Sequence, residues 1–208
     1  MEIFFRGLLI GFSIAAPVGP IGVLCIRRTL AEGRLVGLLT GLGAASADAL
    51  YAAIAAYGLT VVTAFLVGQQ TWIHLIGGLF LVYLGMRTII ASPADQAARP
   101  ESGSLFRAYS STFFLTITNP ITIISFAAIF AGIGLGNIEN NFSSATITVI
   151  AVFSGSAAWW LLLSGGVSLL RERVTFGIMR WVNRISGLII LGFGLAAIWL
   201  SLQAGIFV

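Results

Sequence analysis

Long apolar runs fill most of the chain, and its polar residues gather in short breaks between them. A helix that crosses hydrocarbon needs about 20 mostly apolar residues. That rule picks out six segments: 3–26, 35–60, 72–91, 108–134, 143–170 and 185–206. One stretch of low hydropathy has any length, "SPADQAARPESGS" (92–104). Its prolines, serines and mixed charge predict a solvated connector that divides the chain nearly in half. The pattern predicts an all-α, polytopic membrane protein with six transmembrane helices in a single domain, 1–208. The first segment departs most plainly from a hydrocarbon helix. It carries "GFSIAAPVGPIGVLCI" (11–26), with Pro17, Gly19, Pro20 and Gly22 in its middle.

Composition supports the membrane class. The 208 residues are 58% hydrophobic and 9% charged, against about one-quarter charged in an ordinary soluble domain. The first apolar run is long for a cleaved signal peptide and is expected in the mature chain. Cys25 is the only cysteine, which rules out an intrachain disulfide or dithiol relay and leaves it a packing role.

The net charge of +4 rests on arginines, since there is no lysine. Arg27, Arg28 and Arg34 follow the first span. Arg87, Arg99 and Arg107 flank the connector, and Arg171, Arg173, Arg180 and Arg184 lie between the last two spans. Only Arg6 falls elsewhere. Positively charged loops stay inside, so connections one, three and five are expected in the cytoplasm and both termini outside. The basic charge is therefore a topology signal, and nucleic acid is not an expected partner.

The two halves resemble each other. "IGGLFLVYLGM" (76–86) aligns without gaps to "ISGLIILGFGL" (185–195), matching Gly78 to Gly187 and Gly85 to Gly194. "VGPIGVL" (18–24) falls on "TNPITII" (118–124), with Pro20 opposite Pro120, and "GAASAD" (43–48) falls on "GSAAWW" (155–160). Repeats 1–91 and 105–208, joined by the cytoplasmic connector 92–104, each hold three spans. An odd number inverts the second repeat relative to the first. Inverted repeats with broken helices are the architecture of secondary transporters, whose sites lie near the midplane. Broken backbone at membrane depth is tolerated where it is buried in protein or lines a cavity. The half-helix ends it leaves favour an anion.

Asp48 is the one acid well inside a span. A charge there costs several kcal/mol and is a functional candidate by default. Gly37, Gly41, Ala45, Ala52 and Ala56 give its helix a face of small residues that lets neighbours approach. Tyr51, one turn on, is a candidate donor to it. The aligned position in the second half is Trp160, which breaks the symmetry. Asp48 is thus the candidate carrier of a proton or partner of an ammonium group. His74, beside Trp72, reads as an interfacial polar tip, and Glu139 as an external solvated residue. For Trp159, Trp160, Tyr57 and Tyr83, lining and anchoring are equally open. No GxSxG, P-loop, CxxC or clustered metal ligands occur, so no enzyme, cofactor or metal site is expected.

Three stretches, "PVGPIGVLCIRRTLAEGR" (17–34), "GAASADALYA" (43–52) and "TNPITIISFAAIFAGIG" (118–134), resemble the LysE family of amino-acid exporters. The resemblance implies export of amino acids across the bacterial cytoplasmic membrane, driven by the membrane potential or a proton gradient. It places the family's broken first-span motif on Pro17, Gly19 and Pro20, its second-span acid on Asp48, and its fourth-span Asn-Pro on Asn119 and Pro120. Ile21 stands where many members have Asn, and Ile121 where the homoserine/threonine branch often has Lys, so the substrate does not transfer. The partners implied are an amino acid, a coupling proton and the lipid bilayer; self-association stays open. Three alternatives compete. A divalent-cation exporter needs several oxygen donors, a thiol–disulfide carrier needs paired cysteines, and a structural subunit leaves the paired breaks and Asp48 without a role.

Overall fold

Prolines divide the first apolar segment into two helices. The computed structural model describes residues 1–17, 19–57, 68–91, 102–119, 122–123, 125–126 and 142–206. Helix α1 (Glu2–Ala15) ends before the break, and α2 (Pro20–Glu32) leaves it at 80°. Pro20 is the first residue of α2, where its fixed φ suits a helix and no N–H is needed. Gly19 before it is extended, at φ −101° and ψ −164°, as a residue preceding proline prefers. The expected span 3–26 is therefore two helices, and α2 runs six residues past it. Arg27 and Arg28, expected in a connection, lie on the last turns of α2 because arginine is a good helix former.

A single residue, Gly33, turns the chain into α3 (Arg34–Ala56). Its φ of +105° is the only positive one among the described residues, a conformation open to glycine. Arg171 donates from Nε to the Leu30 carbonyl at 3.3 Å, placing a cation at the carbonyl end of α2. The remaining helices are α4 (Gln70–Ile90), α5 (Ser102–Ile117), α6 (Phe142–Ser168) and α7 (Phe176–Ile206), with a short 3₁₀ turn at Arg171–Arg173.

Helices α3, α4, α6 and α7 are each long and apolar enough to cross a membrane, and the bent pair α1–α2 makes a fifth candidate. Three boundaries differ from expectation. Helix α5 begins inside the expected connector, at Ser102. Helix α7 begins nine residues before 185, so Arg180 and Arg184 are helical rather than in a loop. Of the expected span 108–134, helix is described to Ile117 and at 122–123 and 125–126, and Thr118 and Asn119 lie beyond the helix end; 120–121, 124 and 127–134, with Pro120 among them, lie outside the described residues. So do Glu139 and most of 92–104.

Small residues set how the helices meet. Helix α3 packs on α5 and α6, α1 on α6, α4 on α7, and α2 on α3 and α7. On the α4–α7 seam, a Cβ built on Gly78 would lie 2.9 Å from the Gly194 carbonyl oxygen, and one on Gly194 would lie 2.8 Å from that of Gly78. Gly85 and Gly187 face each other in the same way, at 2.9 and 2.8 Å. The alignment of 76–86 with 185–195 exchanges these two contacts with each other. The other seams behave alike: Gly43 of α3 meets the Tyr109 backbone of α5, and its aligned Gly155 of α6 meets the Leu8 backbone of α1.

Arg28 is 8% exposed and fixes α2 against α3 and α5. Its guanidinium donates to Thr40 Oγ1 at 3.2 Å, Thr112 Oγ1 at 3.1 Å, the Ala108 carbonyl at 3.1 Å and Ser111 Oγ at 2.9 Å. Arg27 Nε donates to Asn183 Oδ1 of α7 at 3.1 Å, and Asn183 Nδ2 to the Ala91 carbonyl at 3.2 Å.

The α4–α7 seam yields a direct test. Gly85→Ala and Gly194→Ala each press a methyl against facing backbone, and overpacking of this kind costs about 1–3 kcal/mol. Gly192→Ala meets nothing within 4 Å and gains helix propensity. Thermal unfolding in detergent should show lower midpoints for the first two variants and an unchanged or higher one for the third.

Candidate functional site

The break between α1 and α2 opens toward the end of α5. Pro20, buried at the start of α2, lines a cavity with Gly77, Gly78 and Leu81 of α4, Leu115, Thr118 and Asn119 at the end of α5, and Ala197 of α7. Two of the sequence-predicted residues, Pro20 and Asn119, thus come together although 99 positions separate them. The cavity's free volume is about 10 Å³, room for about one water. In this conformation the place is closed.

Backbone geometry repeats on the two sides. The Gly19 carbonyl accepts from the Val23 amide at 3.1 Å, and the Asn119 carbonyl accepts from the Ile123 amide at 3.2 Å. These residues correspond in the alignment of 18–24 with 118–124. On each side, the residue before a proline opens a new helical turn. Pro120 itself is among the residues not described. Pro17 lies in the break and is exposed, and Gly19 has open space where a side chain would stand. Neither lines the cavity.

Asp48 stands apart from that cavity, on the α3–α6 seam. It is 3% exposed, and Ser156 Oγ of α6 donates to its Oδ2 at 2.7 Å. Tyr51 is not its partner, contrary to the sequence expectation. The Tyr51 hydroxyl donates to the Ile117 carbonyl, at the last turn of α5, and its ring packs 5.5 Å from Phe126. A tyrosine hydroxyl sits too far along its own side chain to turn back to an acid on the same helix. It reaches the neighbouring helix instead and satisfies a terminal carbonyl.

Of the small face predicted for α3, Gly37, Gly41, Ala45 and Ala52 are buried together with Asp48, while Ala56 is half-buried. Gly41 receives Trp160: a Cβ there would lie 2.3 Å from the Trp160 Cβ. Trp160 is 4% exposed and its indole Nε1 has no hydrogen-bond partner, whereas Trp159 meets Phe12 edge-on at 5.3 Å. His74 also differs from expectation. Both of its ring nitrogens are shielded and unpartnered, while Trp72 is 62% exposed.

Ser156 is the polar group that sequence reasoning passed over, and Arg28, read there as a loop cation, is buried between helices. The signal for Ser156 was present, since it lies in "GSAAWW", the segment aligned with that of Asp48. Among the described residues, no three His, Cys, Asp or Glu side chains form a group able to hold a metal ion.

Comparison with known proteins joins this geometry to a family. The LysE type translocator family matches residues 12–201. The Bacillus subtilis (strain 168) protein YcgF, whose name carries the words "amino acid efflux protein", is 28% identical over 93% of this chain and 94% of its own length. The uncharacterized membrane protein YahN of Escherichia coli (strain K12) is 28% identical over 84% of this chain and 79% of its own. The threonine efflux protein of Salmonella typhimurium (strain LT2) is 22% identical over 94% and 97%. No solved structure matches the chain. With the match running through the broken helix, the Asp48 helix and both glycine-rich helices, the chain belongs to the LysE type translocator family.

Proposed function

We propose that this protein is a secondary exporter that carries a small amino acid or related zwitterion out across the bacterial cytoplasmic membrane, coupled to protons. The observation that carries this reading is the cavity shared by Pro20 and Asn119, where a broken helix and the end of α5 meet between α4 and α7. The amides at the start of α2 favour the substrate carboxylate. Asp48 takes the ammonium group or the coupling proton.

The architecture proposed with it is two inverted three-span repeats, 1–91 and 105–208, with both termini outside. The reciprocal contacts of Gly78 with Gly194 and of Gly85 with Gly187 support it. So do the matched backbone turns after Gly19 and Asn119. A pseudo-two-fold axis in the membrane plane generates such pairs. A cation exporter would need further buried acids, and Asp48 is the only one among the buried residues described. The cavity has room for about one water, so transport requires helices to move about it.

Efflux of labelled amino acids from preloaded vesicles, run as a panel with and without a proton gradient, tests the function. Efflux of none of them by the wild-type protein would end this reading. Asp48→Asn keeps the shape and the hydrogen bond from Ser156 but cannot bind and release a proton. Proton-driven efflux should fall to background in that variant at undiminished membrane abundance, while Asp48→Glu keeps part of it with a shifted pH optimum. Wild-type efflux from Asp48→Asn at every pH would make Asp48 a packing residue.

Orientation has its own test. In a Cys25→Ala background, Asn140→Cys should react with an impermeant thiol reagent from the periplasm and Ala97→Cys should not. The opposite pattern would reverse the assigned topology.

A further inference from the structure

The α3–α6 seam holds an imbalance that the reading above does not use. Under the repeat alignment, Asp48 corresponds to Trp160 and Ser156 to Ala44. The first pair of helix positions is satisfied, because Ser156 donates to Asp48 at 2.7 Å. The mirrored pair is not, because Ala44 offers no oxygen to the Trp160 indole. Trp160 Nε1 is left as a donor with no partner, in a side chain only 4% exposed. A buried donor without an acceptor is destabilising, because the water it gave up is not replaced. Such a group calls for an explanation.

Its surroundings supply one. Trp160 lies one turn along α6 from Ser156, the residue bonded to Asp48. It packs in one apolar cluster with Ala44 and Ala45, one turn before Asp48, and with Ile21, Leu81 and Leu115. Leu81 and Leu115 are walls of the cavity at Pro20 and Asn119. The indole therefore lies in the apolar layer between the cavity, whose walls Leu81 and Leu115 share its cluster, and the neighbourhood of the buried acid.

We propose that Trp160 is a substrate-binding residue whose indole N–H donates to a carboxylate oxygen of the transported amino acid, while Asp48, the opposing group of the same seam, serves the ammonium end. This rests on the amino-acid reading above and adds a residue to it. The pseudo-symmetric scaffold then presents an acceptor on one side and a donor on the other, which matches the two ends of a zwitterion. The orphaned donor is the part of the site that substrate completes. Its preference is for a ligand with an anionic oxygen over an amine that lacks one.

The test uses the full-length protein in inside-out vesicles, with L-threonine, L-leucine and L-lysine as probes over a concentration series. Trp160→Phe keeps a buried aromatic ring and removes the N–H. Loss of a hydrogen bond to a charged group should raise KM about tenfold or more, with the maximal rate and thermal midpoint kept. Ala44→Ser makes the complementary change, supplying the indole with the hydroxyl that Ser156 supplies to Asp48. It should also raise KM, because the donor is then occupied, and it decides the question alone should Trp160→Phe fail to reach the membrane. Unchanged KM in a variant that folds, or a lower maximal rate at constant KM, would overturn the proposal. Wild-type protein that moves amino acids while Trp160→Phe moves them equally well defeats this inference alone. Wild-type protein that moves none defeats the functional reading beneath it.

Discussion

A backbone amide or carbonyl without a partner costs several kcal/mol in hydrocarbon, and among the described residues the break between α1 and α2 is where the chain meets that constraint. The break is made from residues that leave few groups to satisfy. Pro17 and Pro20 bring no N–H. The Ala16 amide still reaches the Phe12 carbonyl at 3.0 Å, the Gly19 amide reaches the Pro17 carbonyl at 3.0 Å, and the Gly19 carbonyl receives Val23. Because Pro20 is buried, protein must stand where lipid otherwise would, and the close seams of α4 with α7 and of α3 with α5 and α6 provide that enclosure.

Two of the polar contacts between helices differ in kind. Arg28 joins α2 to α3 and α5 through four neutral oxygens. Thr40 and Thr112 give their own hydroxyl protons to the carbonyls of Val36 and Ala108, so their lone pairs are free to take the guanidinium without stranding a donor. That attachment does not depend on a proton, since arginine stays charged. The bond from Ser156 to Asp48 joins α6 to α3 through a group that can gain and lose one. A switch driven by protonation would therefore act on the α3–α6 seam while α2 stayed fixed to α3 and α5.

Hydropathy located α3, α4, α6 and the body of α7, because those helices are apolar along their whole length. It failed at helix ends. The last turns of α2 and the first of α7 carry arginines, which a hydropathy rule reads as loop although they favour helix. The meeting of Pro20 with the end of α5 was legible through the alignment of 18–24 with 118–124, since corresponding segments would approach one another in the inverted architecture proposed above. Polar pairing was not. Serine hydroxyls are frequent in these helices and most return to their own backbone, as in Ser46, Ser110 and Ser154. Only its place in the segment aligned with that of Asp48 marks Ser156 as the one that crosses to an acid. Tyr51 failed for the opposite reason: spacing along the helix suggested Asp48, but side-chain length sends the hydroxyl to Ile117.

The pattern of symmetry and its violation has a common physical origin on the proposed reading. Packing between helices depends on volume and backbone approach, which a two-fold axis reproduces at no cost, so the glycines at 78, 85, 187 and 194 occur as reciprocal pairs. A substrate with an ammonium at one end and a carboxylate at the other has no such axis. A site on the pseudo-axis must therefore abandon symmetry in its polar groups while keeping it in its walls. The α3–α6 seam does this at aligned positions: Gly43 and Gly155 are alike, Ala44 faces Ser156 in the alignment, and Asp48 faces Trp160. Substitutions confined to the polar member of each pair change what is bound without altering how the helices pack, which is the freedom a family of exporters needs to diversify its cargo on one scaffold.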